Sequence, residues 1–138
     1  EKNAERLGIK IINTDVKNSA EYEEKYKEKF DKILLDVPCM GIGVIKRKPD
    51  IKWQRKKEDI EEISNLQSRI LENCSKYLKK GGYLVYSTCS ILKEENENIV
   101  NDFIKNNSDF EIVKNDIFNI KPDKEKDGFF ICKIHKKN

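Results

Sequence analysis

The chain has 138 residues, with 28 basic against 25 acidic side chains for a formal net charge of +3, and 37% of it is apolar. That length suffices for one domain with its own core, and the apolar residues gather in periodic runs, which excludes a disordered chain. A charge balance so close to neutral excludes nucleic-acid binding through net charge and leaves it to a clustered basic face, while no apolar stretch is long enough to cross a bilayer and the N-terminus does not read as a signal peptide.

Residues 1–7 read as the tail of a charged helix that Gly8 ends. Residues 9–12 read as a short strand, with Asp15 just beyond it. Ser19 is placed to cap a helix running to about Lys29, with Tyr22 and Tyr26 one turn apart. Ile33, Leu34, Leu35 and Val37 make the next strand; Pro38 ends it, and Gly41 and Gly43 loosen the loop that follows. Residues 49–57 are basic and irregular and carry the single tryptophan, Trp53. A helical period then sets in from Glu58, with Ile60, Ile63, Leu66, Ile70, Leu71, Cys74, Tyr77 and Leu78 in one stripe that Gly81 and Gly82 are expected to stop. Gln67, among these residues, reads as a surface-edge side chain.

Residues 83–86 form a near-continuous apolar run, as expected of a central parallel strand covered on both faces. A helix is expected from about Glu94, carrying Ile99, Val100, Phe103 and Ile104, and residues 110–113 and 128–134 read as two closing strands. The alternation of strand and helix predicts an α/β fold with a parallel sheet and helices on both faces, and the last two strands can pair antiparallel at its edge. Ligands of such sheets bind beyond the carboxyl ends of the strands. Asp15, residues 36–39 and residues 87–90 all fall at such ends.

The four cysteines, Cys39, Cys74, Cys89 and Cys132, contain no CxxC pair, so reduced thiols in the cytoplasm are expected and a thiol redox protein is disfavoured. One histidine, His135, and dispersed cysteines lack the spacing of a metal site, and His135 is expected in solvent. Cys74 on the helix stripe and Cys132 in an edge strand read as core or incidental. A single cysteine after a strand is usually a buried filler. Cys39 and Cys89 each follow an apolar strand, however, and parallel neighbouring strands would turn both thiols into one crevice. A thiol is suited to adding to an electron-poor ring carbon. The six glycines do not form the glycine-rich turn that opens a nucleotide-cofactor site, so the 138 residues are expected to be the C-terminal portion of a larger catalytic domain whose N-terminal half lies elsewhere.

The stretch DVPCMGIGVIKRKPDIKW, from Asp36 to Trp53, resembles the fourth motif of the RNA (cytosine-5) methyltransferases. Tyr86-Ser87-Thr88-Cys89-Ser90, followed by Glu94-Glu95-Asn96, looks like their sixth motif, and Asp127-Gly128-Phe129-Phe130 like their closing strand. The resemblance spans nearly the whole chain and is greatest to the bacterial branch that modifies 16S ribosomal RNA; Met40 departs from it where the family usually has serine. It implies a partial Rossmann-like S-adenosylmethionine-dependent methyltransferase fold, the C-terminal half of the sheet with an antiparallel edge strand. It also implies methylation of C5 of cytosine in RNA, with 16S ribosomal RNA as the partner and S-adenosyl-L-methionine as the cofactor. By the same resemblance Cys89 adds to C6 of the ring and Cys39 assists release of the covalent adduct. Asp36 binds the N3 and amino edge of cytosine near the methionine part of the cofactor, and Asp15 contacts the adenine amino group. An ordinary cysteine, with a pKa of about 8.5, is only a few per cent thiolate at neutral pH. The target base must be unstacked before a thiol can reach it. Lys46, Arg47, Lys48 and Lys52 are candidate phosphate contacts, which carry affinity but no sequence information. A competing expectation is a non-catalytic RNA- or partner-binding remnant, and the 138 residues by themselves are expected to be inactive.

Overall fold

Two strands run side by side in the same direction and bring distant loops to one end of the sheet. The computed structural model describes residues 2–138. Strand β1 (Phe30–Asp36) pairs in parallel with β2 (Leu78–Thr88), with Ile33 opposite Leu84, Leu35 opposite Tyr86 and Asp36 opposite Ser87. Strands β3 (Phe110–Ile120) and β4 (Phe129–Lys136) pair antiparallel, as expected, and β4 also pairs antiparallel with β2, giving the order β1-β2-β4-β3. Strand β4 is therefore interior, and Cys132, fully buried, belongs to the core rather than to an edge.

Among the described residues four α-helices accompany the sheet: α1 (Lys2–Arg6), α2 (Ile51–Gln54), α3 (Asp59–Ser75) and α4 (Glu97–Asn106). The helix tail expected at the start is α1, with Gly8 following at φ +68°; Glu1 lies outside the described residues. Helix α3 opens on Asp59, Glu61 and Glu62, whose charges suit the positive end of the helix dipole. Its Ile70, Leu71 and Cys74, with Ile99, Val100 and Phe103 of α4, join Leu35, Leu84, Tyr86, Phe130, Cys132 and Ile134 of the sheet in one core.

Several expectations are corrected here. Both long helices lie on one face of the sheet, not on two. The opposite face leaves Leu34 71% exposed and Tyr83 exposed beside half-buried Val85 and Lys133. Residues 9–12 form no strand, and Ile11 is 90% exposed, because no ladder partner stands beside so short a run. The helix expected after Ser19 is replaced by a turn, in which the Asn18 side chain accepts the Ala20 amide, and by a single 3-10 turn at Glu24–Tyr26. Tyr22 and Tyr26 nonetheless converge, each packing 5.7 Å from the Tyr77 ring. Helix α3 ends at Ser75, before the glycines. Gly81 and Gly82 lie inside β2, where pairing jumps from Phe30–Leu78 to Lys32–Tyr83, and Gly81 takes φ +72°, which an irregular strand asks of glycine.

Candidate active site

Because Asp36 and Ser87 are in register, the chain leaves β1 and β2 at the same level, and Cys39 and Cys89 follow within three residues. Their sulfurs stand 2.9 Å apart, in hydrogen-bond contact, both residues half-buried and both thiols free. Burial, and then the Cys89 sulfur beside it, push the Cys39 thiol up to about 12. Cys39 is thus a thiol that keeps its proton.

The Cys89 loop is fixed from below by buried polar side chains. Thr88 Oγ1 donates to Asn96 Oδ1 at 2.6 Å, Asn96 Nδ2 donates to the Ser90 carbonyl at 3.0 Å, and the Ser90 amide donates back to Thr88 Oγ1 at 3.2 Å. Tyr86, its hydroxyl pKa raised by burial and then by Glu95 and Cys39, remains a phenol and donates to the Glu95 carbonyl at 2.7 Å. The Cys39 loop is tied to the Cys89 loop through Gly43, whose amide donates to the Cys89 carbonyl at 3.0 Å and whose carbonyl accepts from Gly128 at 2.8 Å. A Cβ at Gly43 would lie 2.8 Å from the Cys89 carbonyl oxygen, so glycine is required for this approach.

Two further residues belong to this site. Glu95 is fully buried and accepts from the Met40 amide at 2.8 Å, from Gln67 Nε2 at 3.0 Å and from Ser90 Oγ. Gln67 is also fully buried, which corrects its reading as a surface-edge residue, and it donates to the Pro38 carbonyl at 2.8 Å. Its place four residues after Ile63 and four before Leu71 put it on the buried stripe, and that spacing was the available signal.

Asp36 is exposed at the end of β1 and accepts from Ser87 Oγ at 3.1 Å. Asp15 lies on an extended, exposed segment rather than at a strand end, where it accepts from the Tyr26 hydroxyl at 3.3 Å and pairs with Lys17 at 3.6 Å. Lys46, Arg47, Lys48 and Lys52 are all exposed. Lys46 donates to the Lys124 carbonyl, and Arg47 pairs with Asp127. Lys52 with Arg55, Lys56 and Lys57 rims a cavity of about 200 Å³ whose floor includes Met40, Ile51 and Ile60. Trp53 is 87% exposed beside it in sequence. His135 is half-buried rather than in solvent, stacked 4.9 Å from the Tyr83 ring and 2.9 Å from Glu111.

Residues 1–135 match the family model described as 16S rRNA methyltransferase RsmB/F. The chain is 42% identical over 143 aligned residues to the ribosomal RNA small subunit methyltransferase B of Escherichia coli, covering 98% of this chain and 33% of that protein. It is 38% identical over 151 aligned residues to the probable ribosomal RNA small subunit methyltransferase B of Bacillus subtilis, covering 97% and 34%. Among solved structures it resembles NSun6 from Pyrococcus horikoshii, determined with SFG, at 30% identity and a TM-score of 0.76, covering 99% of this chain and 38% of that one. The chain therefore spans about a third of the length of the curated relatives it matches.

Proposed function

Because the chain belongs to the RsmB/F family of 16S rRNA methyltransferases and carries part of a Rossmann-like methyltransferase fold, we propose that its thiol pair serves methylation of C5 of cytosine in RNA, with 16S ribosomal RNA as the substrate. The observation that carries this reading is the 2.9 Å approach of the Cys39 and Cys89 sulfurs at the carboxyl ends of parallel strands, where ligands of such sheets bind. A non-catalytic module has no need of two thiols in contact.

In this reading Cys89 bonds to C6 of an unstacked cytosine and its thiol proton passes to N3, which makes C5 nucleophilic. Asp36, exposed beside the pair and oriented by Ser87, accepts from the N3 and amino edge. After methylation the C5 proton leaves to water, the C6–sulfur bond breaks, and Cys89 departs as the leaving group and takes back the proton held at N3. Cys39, which holds a proton 2.9 Å away, assists this release.

The donor set fits part of S-adenosylmethionine: exposed carboxylates such as Asp36 and Asp15 suit its ammonium and adenine amino groups. SFG, found with the related NSun6, is an analogue of it. When bound, it supplies an electrophilic methyl group. The remainder of its site belongs, in this reading, to chain outside these 138 residues. Lys46, Arg47, Lys48 and Lys52 contact RNA phosphates, which compete with Asp127 for Arg47. Four free cysteines suit the reducing cytoplasm.

The test uses the full-length parent and RNA carrying 5-azacytosine, whose ring has no C5 proton to lose. The wild type is expected to form a stable protein–RNA adduct, and Cys89→Ala to form none. Cys39→Ala is expected to accumulate an adduct with ordinary cytosine RNA, because release is slowed. Trapping that survives Cys89→Ala would overturn the assignment.

A further inference from the structure

We propose that Glu95 is the positioning residue that holds the two cysteine loops together, so that Cys39 and Cys89 form one site only while its side chain hydrogen-bonds both loops. Its consequence for turnover rests on the methyltransferase reading; its consequence for thiol geometry does not.

Each cysteine is flanked by an atom bound into the same buried network. Met40, just after Cys39, gives its amide to Glu95 Oε1 at 2.8 Å. Pro38, just before Cys39, gives its carbonyl to Gln67 Nε2 at 2.8 Å, and the same nitrogen donates to Glu95 Oε1 at 3.0 Å. Ser90, just after Cys89, donates its hydroxyl to Glu95 Oε2. The Glu95 backbone carbonyl accepts from Tyr86 of β2 at 2.7 Å, which anchors the carboxylate to the strand that leads to Cys89. One residue thus joins β2, α3 and both loops.

The chemistry explains why a carboxylate stands here. Three donors converge on two oxygens, which a carboxyl group provides across both loops and an alcohol cannot. Its partners are all neutral, so this buried polar group is held by hydrogen bonds alone. That arrangement is costly compared with an apolar filler, and packing does not account for it. Removing it would also release Gln67, whose Oε1 already has no hydrogen-bond partner.

Trivalent phenylarsine oxide reads the geometry directly. Two thiols form two sulfur–arsenic bonds, and the arsenic-bound oxygen leaves as water with the two thiol protons, with no change of oxidation state. In the full-length parent, the captured fraction that disappears in Cys89→Ala reports the pair. The wild type is expected to capture one equivalent, reversed by a dithiol and resistant to a monothiol. Glu95→Gln keeps an oxygen for Met40 and Gln67 and offers Ser90 a donor, so it is expected to retain capture and most turnover. Glu95→Met, similar in length but without acceptors, is expected to weaken capture at least about 10-fold and to lower kcat about 10²-fold with a smaller effect on the KM for RNA, as a misplacement near 1 Å would. Unchanged capture in a folded Glu95→Met, or equal loss in Glu95→Gln and Glu95→Met, overturns the proposal. If Glu95→Met does not fold, Ser90→Ala decides in its place: it removes the hydroxyl that ties the Cys89 loop to the Glu95 side chain, and unchanged capture there also overturns the proposal. Capture that follows the expected pattern in a parent that methylates no cytosine leaves this inference standing and removes the methyltransferase reading.

Discussion

Gly43 sits where three backbones meet: its amide reaches Cys89, its carbonyl meets Gly128, and its α-carbon leaves no room for a methyl group. The atoms that a new Cβ would strike are backbone carbonyls, which cannot rotate away. Gly43→Ala is therefore expected to destabilise the fold by about 1–3 kcal/mol, as overpacking does elsewhere. Urea unfolding measures this, and an unchanged midpoint would mean that the loops do not approach so closely. The residue scale also shows how motif and geometry complement one another. Pro38-Cys39 and Thr88-Cys89 are legible as residues after strands, and their convergence follows from parallel register. Glu95 is not legible in that way, since nothing local says that a glutamate in a polar run will be buried under two loops.

Helix α3 is the element on which the site leans, because it presents Gln67 to the loops and Ile70, Leu71 and Cys74 to the sheet. Leu71 is fully buried, and Leu71→Ala is expected to cost about 2–5 kcal/mol from lost transfer energy and the cavity left behind. Ser68→Ala, on the exposed side of the same helix, is expected to stay within about 0.5 kcal/mol. Thermal or urea unfolding of the two variants separates them, and equal losses would contradict the observed packing. This helix was readable because a 3.6-residue period persists over seventeen positions. The segment from Ile9 to Lys29 was not, because its apolar runs are short and their conformation depends on neighbours: Asn18 folds back on Ala20, and Tyr77 accepts the Glu23 amide at 2.8 Å.

For the whole molecule, buried thiols link stability to pH. Burial pushes Cys132 up to about 12, and burial with the Cys89 contact does the same to Cys39, well above the ordinary thiol range. Between these values the unfolded chain has lost protons that the folded chain retains, so the folded state binds more protons and stability falls as pH rises. The stabilisation is complete below pH 9 and is lost progressively toward pH 12. Urea midpoints measured from pH 8 to 11 are expected to decline, and Cys132→Ala is expected to flatten part of that slope. A slope unchanged by Cys132→Ala would remove the link.

What the amino-acid order determined alone was the part written in local pattern: the strands and helices with sustained periodicity, the paired cysteine motifs, and the resemblance they carry. Tertiary structure alone decided that both long helices share one face, that β4 is interior, and that Glu95 lies buried between the loops. The physical reason is that burial and hydrogen-bond partnership are set by residues far apart in the chain. A carboxylate 55 positions from the amide it accepts leaves no trace in its own neighbourhood.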